Sequence, residues 1–73
     1  MVEVRLFATL RKGRKKVYEF ASEEASDGRV ILERLKIDPD EVAIYLINGR
    51  HSGLDDPIKD EDVIAIFPAV GGG

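Results

Sequence analysis

The 73-residue sequence predicts an α+β fold, a mixed sheet of about four to five strands with one main helix packed on one face. Three observations carry that reading. The chain opens on an alternating, β-branched stretch, and it closes on a second apolar, β-branched run, Val63-Ile64-Ala65-Ile66-Phe67. Between them lies a single stretch of helical period, bracketed by a basic turn and by the hairpin signal Asn48-Gly49.

Taken in order, residues 2–9 read as a half-buried strand, with Val2, Val4 and Leu6 on one face and Glu3, Arg5 and Phe7 on the other. Arg11-Lys12-Gly13-Arg14-Lys15-Lys16 is a basic run around one glycine, most simply a solvated hairpin turn; as a functional patch it would meet an acidic partner or a phosphate. No aromatic residue is interleaved in it, unlike in proteins that bind single-stranded nucleic acid. Val17 to Ala21 return as a strand. A helix follows from Ser26 or Asp27 to Lys36, its core side formed by Val30, Ile31, Leu35 and Ile37. Asp27 at its start and Arg34 and Lys36 at its end complement the helix dipole, while Gly28 weakens the first turn. Val42 to Ile47, the most continuously apolar run, is expected to be a central strand, and Leu54 to plug the core from a loop.

Asp55, Asp56, Asp60, Glu61 and Asp62 crowd one loop but lack the spacing of a calcium loop, and His51 has no second histidine or cysteine with which to share a metal. No metal site is therefore expected. First and last strands separated by a helix should lie side by side in parallel at the sheet centre, which is the β-grasp arrangement.

Composition limits function. One domain of this size, without cysteine, must fold on a core drawn from its 44% hydrophobic content. The apolar segments are short and no signal-peptide pattern opens the chain, so the expectation is a cytoplasmic protein without a membrane partner. A net charge of −3 disfavours nucleic acid. One histidine, no thiol and no phosphate loop argue against an independent active site.

The chain's end is the functional signal. Pro68 cannot donate to a sheet ladder, so pairing should stop there, and Ala69-Val70-Gly71-Gly72-Gly73 has almost no side chains. We read residues 1–70 as the folded domain and 71–73 as a flexible tail. From Ala69 to Gly73 an extended chain reaches about 13–17 Å, at ~3.3–3.6 Å per residue. Glycines suit a thin arm that carries a carboxylate into another protein's active site. The plain alternative is a frayed terminus. Parity puts Phe67 on the face opposite Ile64 and Ile66, and so beside Phe7, two exposed aromatics that suit an interface.

The opening Val4-Arg5-Leu6-Phe7-Ala8-Thr9-Leu10-Arg11 resembles the first strand of the small subunit of molybdopterin synthase. Pro57-Ile58-Lys59-Asp60-Glu61-Asp62-Val63 and Phe67-Pro68-Ala69-Val70-Gly71-Gly72-Gly73 resemble that family's last loop, strand and tail. The usual ending is Phe-Pro-Pro-Val-x-Gly-Gly; here Ala69 stands for the second proline and Gly71 fills the variable position. The likeness is weakest over residues 22–41, where the helix region is shorter than usual. It implies a ubiquitin-like sulfur carrier that binds no cofactor itself. An E1-like adenylating enzyme would use ATP to activate the carboxylate of Gly73, with Gly72 the slim residue behind it. A sulfur donor would then leave a thiocarboxylate, and the large synthase subunit would pass the sulfur to precursor Z. By the same resemblance Phe7, Phe67, His51, Pro68, Val70 and Gly71 would meet the partners; His51 stands where relatives often carry an apolar residue, and its protonation on burial would weaken docking at low pH. The related thiamine-pathway carrier, serving thiazole synthase, shares fold and tail, and a tungsten-cofactor carrier or a ubiquitin-like protein modifier is also compatible. From another class stands a β-grasp binding module with an inert tail.

Overall fold

The computed structural model describes residues 1–69. Val70, Gly71, Gly72 and Gly73, and with them the boundary drawn between domain and tail, lie outside the described residues. Among the described residues there are five strands and one α-helix: β1 (Val2–Leu6), β2 (Val17–Phe20), α1 (Gly28–Leu35), β3 (Val42–Ile47), β4 (Arg50–His51) and β5 (Val63–Pro68). The sheet order is β2-β1-β5-β3-β4. β1 and β5 are parallel neighbours in register Glu3 with Val63 and Leu6 with Ile66; β2 pairs antiparallel with β1, and β3 with β5. This is the β-grasp sheet, with its parallel pair at the centre.

Strand alternation sends Val2, Val4, Leu6, Ile64 and Ile66 to one face, where they are fully buried with Ile31 and Leu32 of α1. The helix stripe differs from expectation at two residues. Leu32 is buried, whereas Val30 is only half-buried, so the Ile31–Leu32 edge of α1 is the one turned to the sheet. Leu35 is half-buried against the core, and Ile37 is buried just after the helix. Asp27 caps the helix, its side chain accepting from the Val30 N–H. At the other end Lys36 takes a left-handed φ of 58°, and the Ile37 N–H bonds the Leu32 carbonyl at 2.8 Å. That is the hydrophobic C-terminal motif built on a lysine instead of a glycine.

Two strand expectations change. β1 stops at Leu6, not Thr9, since Ala8 takes φ 52° and residues Ala8–Arg11 close a 3-10 turn that buries Leu10. β3 is not central: it lies fourth in order, and its far edge is covered only by the two-residue β4. Its outward side chains are consequently open, with Ile44 40% exposed. A strand with few polar positions on a half-open site leaves an apolar outer face.

Candidate functional site

The site assembles where β1 and β5 end together. Their parallel register brings Phe7 and Phe67 to the same level, and the Phe7 N–H bonds the Ile66 carbonyl at 3.2 Å. The two rings stack on the face away from α1, 4.3 Å between centroids and 8° from coplanar. The Arg11 guanidinium lies 5.4 Å over the other ring of the pair, Phe7, held by its Nε bond to the Leu6 carbonyl at 2.8 Å. Strand parity in the sequence gives the shared face of Phe7 and Phe67; it gives no hint of the Arg11 cation over Phe7.

The same outer face extends across β3. Ile44 stands opposite Phe67 and Leu46 opposite Ala65, while His51 on β4 pairs with Leu46. All these positions share the parity of Phe67. His51 is exposed at the edge of this face, beside Leu46. Ile44 was missed, although a signal was present: β3 is apolar on both parities, and one helix can cover only one face of a sheet.

The exit of the tail is anchored. Pro68 is half-buried, closes β5 and sits opposite Val42 after a register irregularity between Val42 and Ile44. Pairing continues one bond further than expected, because the Ala69 N–H donates to the Glu41 carbonyl at 2.8 Å. A proline at 69 has no N–H to give. Glu41 is itself held in the capped turn Asp38–Glu41, its carboxylate accepting from the Asp38 N–H at 3.0 Å. Val70, Gly71, Gly72 and Gly73 follow directly in sequence.

The basic run is divided in role. Arg14 is structural: it donates to the carbonyls of Leu10, Leu35 and Lys36 at 3.2, 3.1 and 3.0 Å, tying the β1–β2 loop to the C-terminal end of α1. Cations suit that end of a helix. Lys12 and Lys16 make no ion pair among the described residues. A groove of about 350 Å³ runs beside the stack, lined by Arg5, Phe7, Arg11, Lys16 and Val17 among others.

The acidic loop serves the fold. Asp62 accepts from the Asn48 amide at 2.9 Å and from the Lys59 N–H at 2.8 Å, and Asp56 accepts from the Gly53 N–H at 2.8 Å. Asp60 and Glu61 hold the Met1 ammonium at 2.6 and 2.9 Å. The hydrogen bond to Asp60, then that to Glu61, pushes the amine pKa from 8.0 up to about 10, and the carboxyl of Asp60 is correspondingly held below its ordinary value. No cluster with the makings of a metal site occurs among the described residues, and no helix there is long and apolar enough to cross a membrane.

Residues 4–73 of the chain match the ThiS family. Among solved structures the chain is similar to a protein described as molybdopterin converting factor subunit 1 from Pyrococcus furiosus, with 29% identity and a TM-score of 0.72 over 94% of this chain and 97% of that one. It is similar at 29% identity and a TM-score of 0.64 to a chain in the protein–protein complex of subunits 1 and 2 of molybdopterin-converting factor from Helicobacter pylori, covering 99% of this chain and 97% of that one. SAMP1 from Haloferax volcanii, at 22% identity and a TM-score of 0.67 over 99% of this chain and 98% of that one, shares the fold. Among curated proteins no sequence matches.

Proposed function

Because the chain belongs to the ThiS family, whose members are small ubiquitin-like sulfur carriers, we propose that it carries sulfur as a thiocarboxylate on Gly73 and delivers it in molybdopterin synthesis. The observation that supports the reading is where β5 ends. β5 is the central strand, it finishes at Pro68 beside the Phe7–Phe67 stack, and the sequence then runs into three glycines. A carboxylate is a poor electrophile while its oxygen is a poor leaving group. Adenylation by an E1-like enzyme, with loss of pyrophosphate from ATP, makes AMP the leaving group. A sulfur donor then displaces AMP, so one oxygen of the carboxylate is exchanged for sulfur. This chain contributes binding and delivery, and the catalytic groups belong to its partners.

The acceptor is taken to be a large synthase subunit, since the relative from Helicobacter pylori is a complex of the two converting-factor subunits. The outer face, with Phe7, Phe67, Ile44 and His51, is the proposed docking surface, and Pro68, Val70 and Gly71 lead the arm into the partner. The test is an intact mass after incubation with an adenylating enzyme, ATP and a sulfur source. Replacement of one oxygen by sulfur in the peptide ending at Gly73 is the expected result. No gain with competent enzymes of both the molybdopterin and thiamine pathways would leave a binding module with an inert tail. If the tail loads, transfer to the large synthase subunit and not to thiazole synthase is expected.

A further inference from the structure

The β1–β2 loop lies at the same end of the molecule as the C-terminal end of β5, because β1 and β5 run parallel and finish level. It carries Arg11, Lys12, Lys15 and Lys16, whereas the dense carboxylates of residues 55–62 lie at the opposite end, where β5 and β1 begin. A chain of net charge −3 thus presents a concentrated positive strip near the end of β5. Local needs do not account for the strip. Arg14 satisfies three carbonyls and is structural, and Lys15 packs its ammonium 5.8 Å from the Tyr18 ring. Lys12 and Lys16 neutralise nothing among the described residues, and Arg11 uses only its Nε in a hydrogen bond there. Lys16 and Arg11 line the groove that borders the aromatic stack, so the cations adjoin the apolar patch directly.

We propose that Arg11, Lys12 and Lys16 form an electrostatic docking strip that recognises a carboxylate-rich rim on the adenylating enzyme. The inference rests on the carrier reading above and names the chemistry of its partner. An acidic protein fits better than a nucleic acid: the charges flank a stacked hydrophobic pair, no aromatic is interleaved between them, and outside residues 11–16 the chain carries more carboxylates than cations. Rim charges act chiefly on the rate of encounter, raising it roughly 10-fold or more over the uncharged case at low salt. The strip would align the tail's end with the partner before the apolar face closes.

The test measures association of the full chain with its adenylating enzyme between ~0.01 and ~0.15 M salt, over which the screening length falls from about 30 to about 8 Å. Three proteins are compared: wild type, the charge reversal Lys12→Glu/Lys16→Glu, and the neutral Lys12→Gln/Lys16→Gln, which guards against a folding defect. The wild-type association rate is expected to fall steeply with salt. Both variants should associate about 10-fold or more slowly at low salt, lose most of the salt dependence and dissociate at the wild-type rate. Equal association rates for all three would overturn the proposal and return the loop to a solvated turn. Tighter binding of a fluorescent single-stranded oligonucleotide than of the enzyme would overturn it in favour of nucleic acid. The same series on a chain lacking Gly72 and Gly73 separates the two readings. Salt-dependent docking that survives while the full chain never gains sulfur sinks the carrier chemistry and keeps the strip.

Discussion

Gly28 shows how a residue's role depends on what stands beside it. In a helix's first turn glycine looks like a small local defect, yet a Cβ there would lie 2.7 Å from both the ζ carbon and the hydroxyl of Tyr45. Tyr45 is 5% exposed, its hydroxyl has no hydrogen-bond partner among the described residues, and burial pushes the phenol above its ordinary range. Gly28→Ala is expected to cost about 1–3 kcal/mol through overpacking, outweighing the helix preference of at most ~1 kcal/mol. Tyr45→Phe, which removes an unpaired buried hydroxyl, should be neutral or stabilising by up to ~1 kcal/mol. Urea unfolding of both variants and their combination decides: wild-type stability in Gly28→Ala would mean that the ring yields freely. At the surface, the Met1 clasp should give a pH signature. The amine's contribution is complete below pH 8.0, where it is charged both folded and unfolded, and is lost as pH rises toward about 10. The contribution of Asp60, whose pKa is lowered, is instead lost on acidification. Acetylating the amine should flatten the alkaline slope of stability; an unchanged slope would assign it to other groups.

At the scale of elements, the short helix is held by what meets its ends. The Leu54 carbonyl accepts from the Gly28 and Arg29 N–H groups at 2.9 and 3.3 Å, and Leu54 itself packs against the core, as its sequence position suggested. At the other end Arg14 covers two terminal carbonyls from a different loop. An eight-residue helix is marginal alone, so these long-range contacts matter more than its propensity. Arg14→Ala is expected to destabilise by about 1–2 kcal/mol, and Arg14→Lys to recover only part, since one ammonium cannot reach three separated carbonyls. Equal denaturation midpoints for wild type and Arg14→Ala would show that water serves those carbonyls as well.

The whole molecule separates the core from the proposed docking surface by face and by end. One face of the sheet is closed by α1; the other holds the Phe7–Phe67 stack with Ile44, and the far end gathers the carboxylates. Phe67→Ala should weaken docking to the partner by about 1–3 kcal/mol, the range of an interface anchor, with little change in thermal midpoint because Phe67 lies outside the core cluster. Deleting Gly73 should abolish sulfur loading and leave the thermal transition in place. Loss of that transition would mean that the end of the chain contributes to the fold.

The division between sequence and structure follows from range. Alternation, helical period and turn chemistry are local, so the two β-branched runs, the Asp27 cap, the Asn48-Gly49 turn and the parity that joins Phe7 to Phe67 were legible residue by residue. The β-grasp order followed from them, because few ways exist to join such elements. What the sequence could not express were relations between distant segments. Arg14 reads as one charge in a basic turn until α1 ends beside it, and Gly28 reads as a weak helix start until Tyr45 arrives from β3. Val42–Ile47 reads as a central strand until its far edge is left to a two-residue neighbour. Those roles exist only once the chain has closed on itself, because each depends on which segment fills the adjoining space.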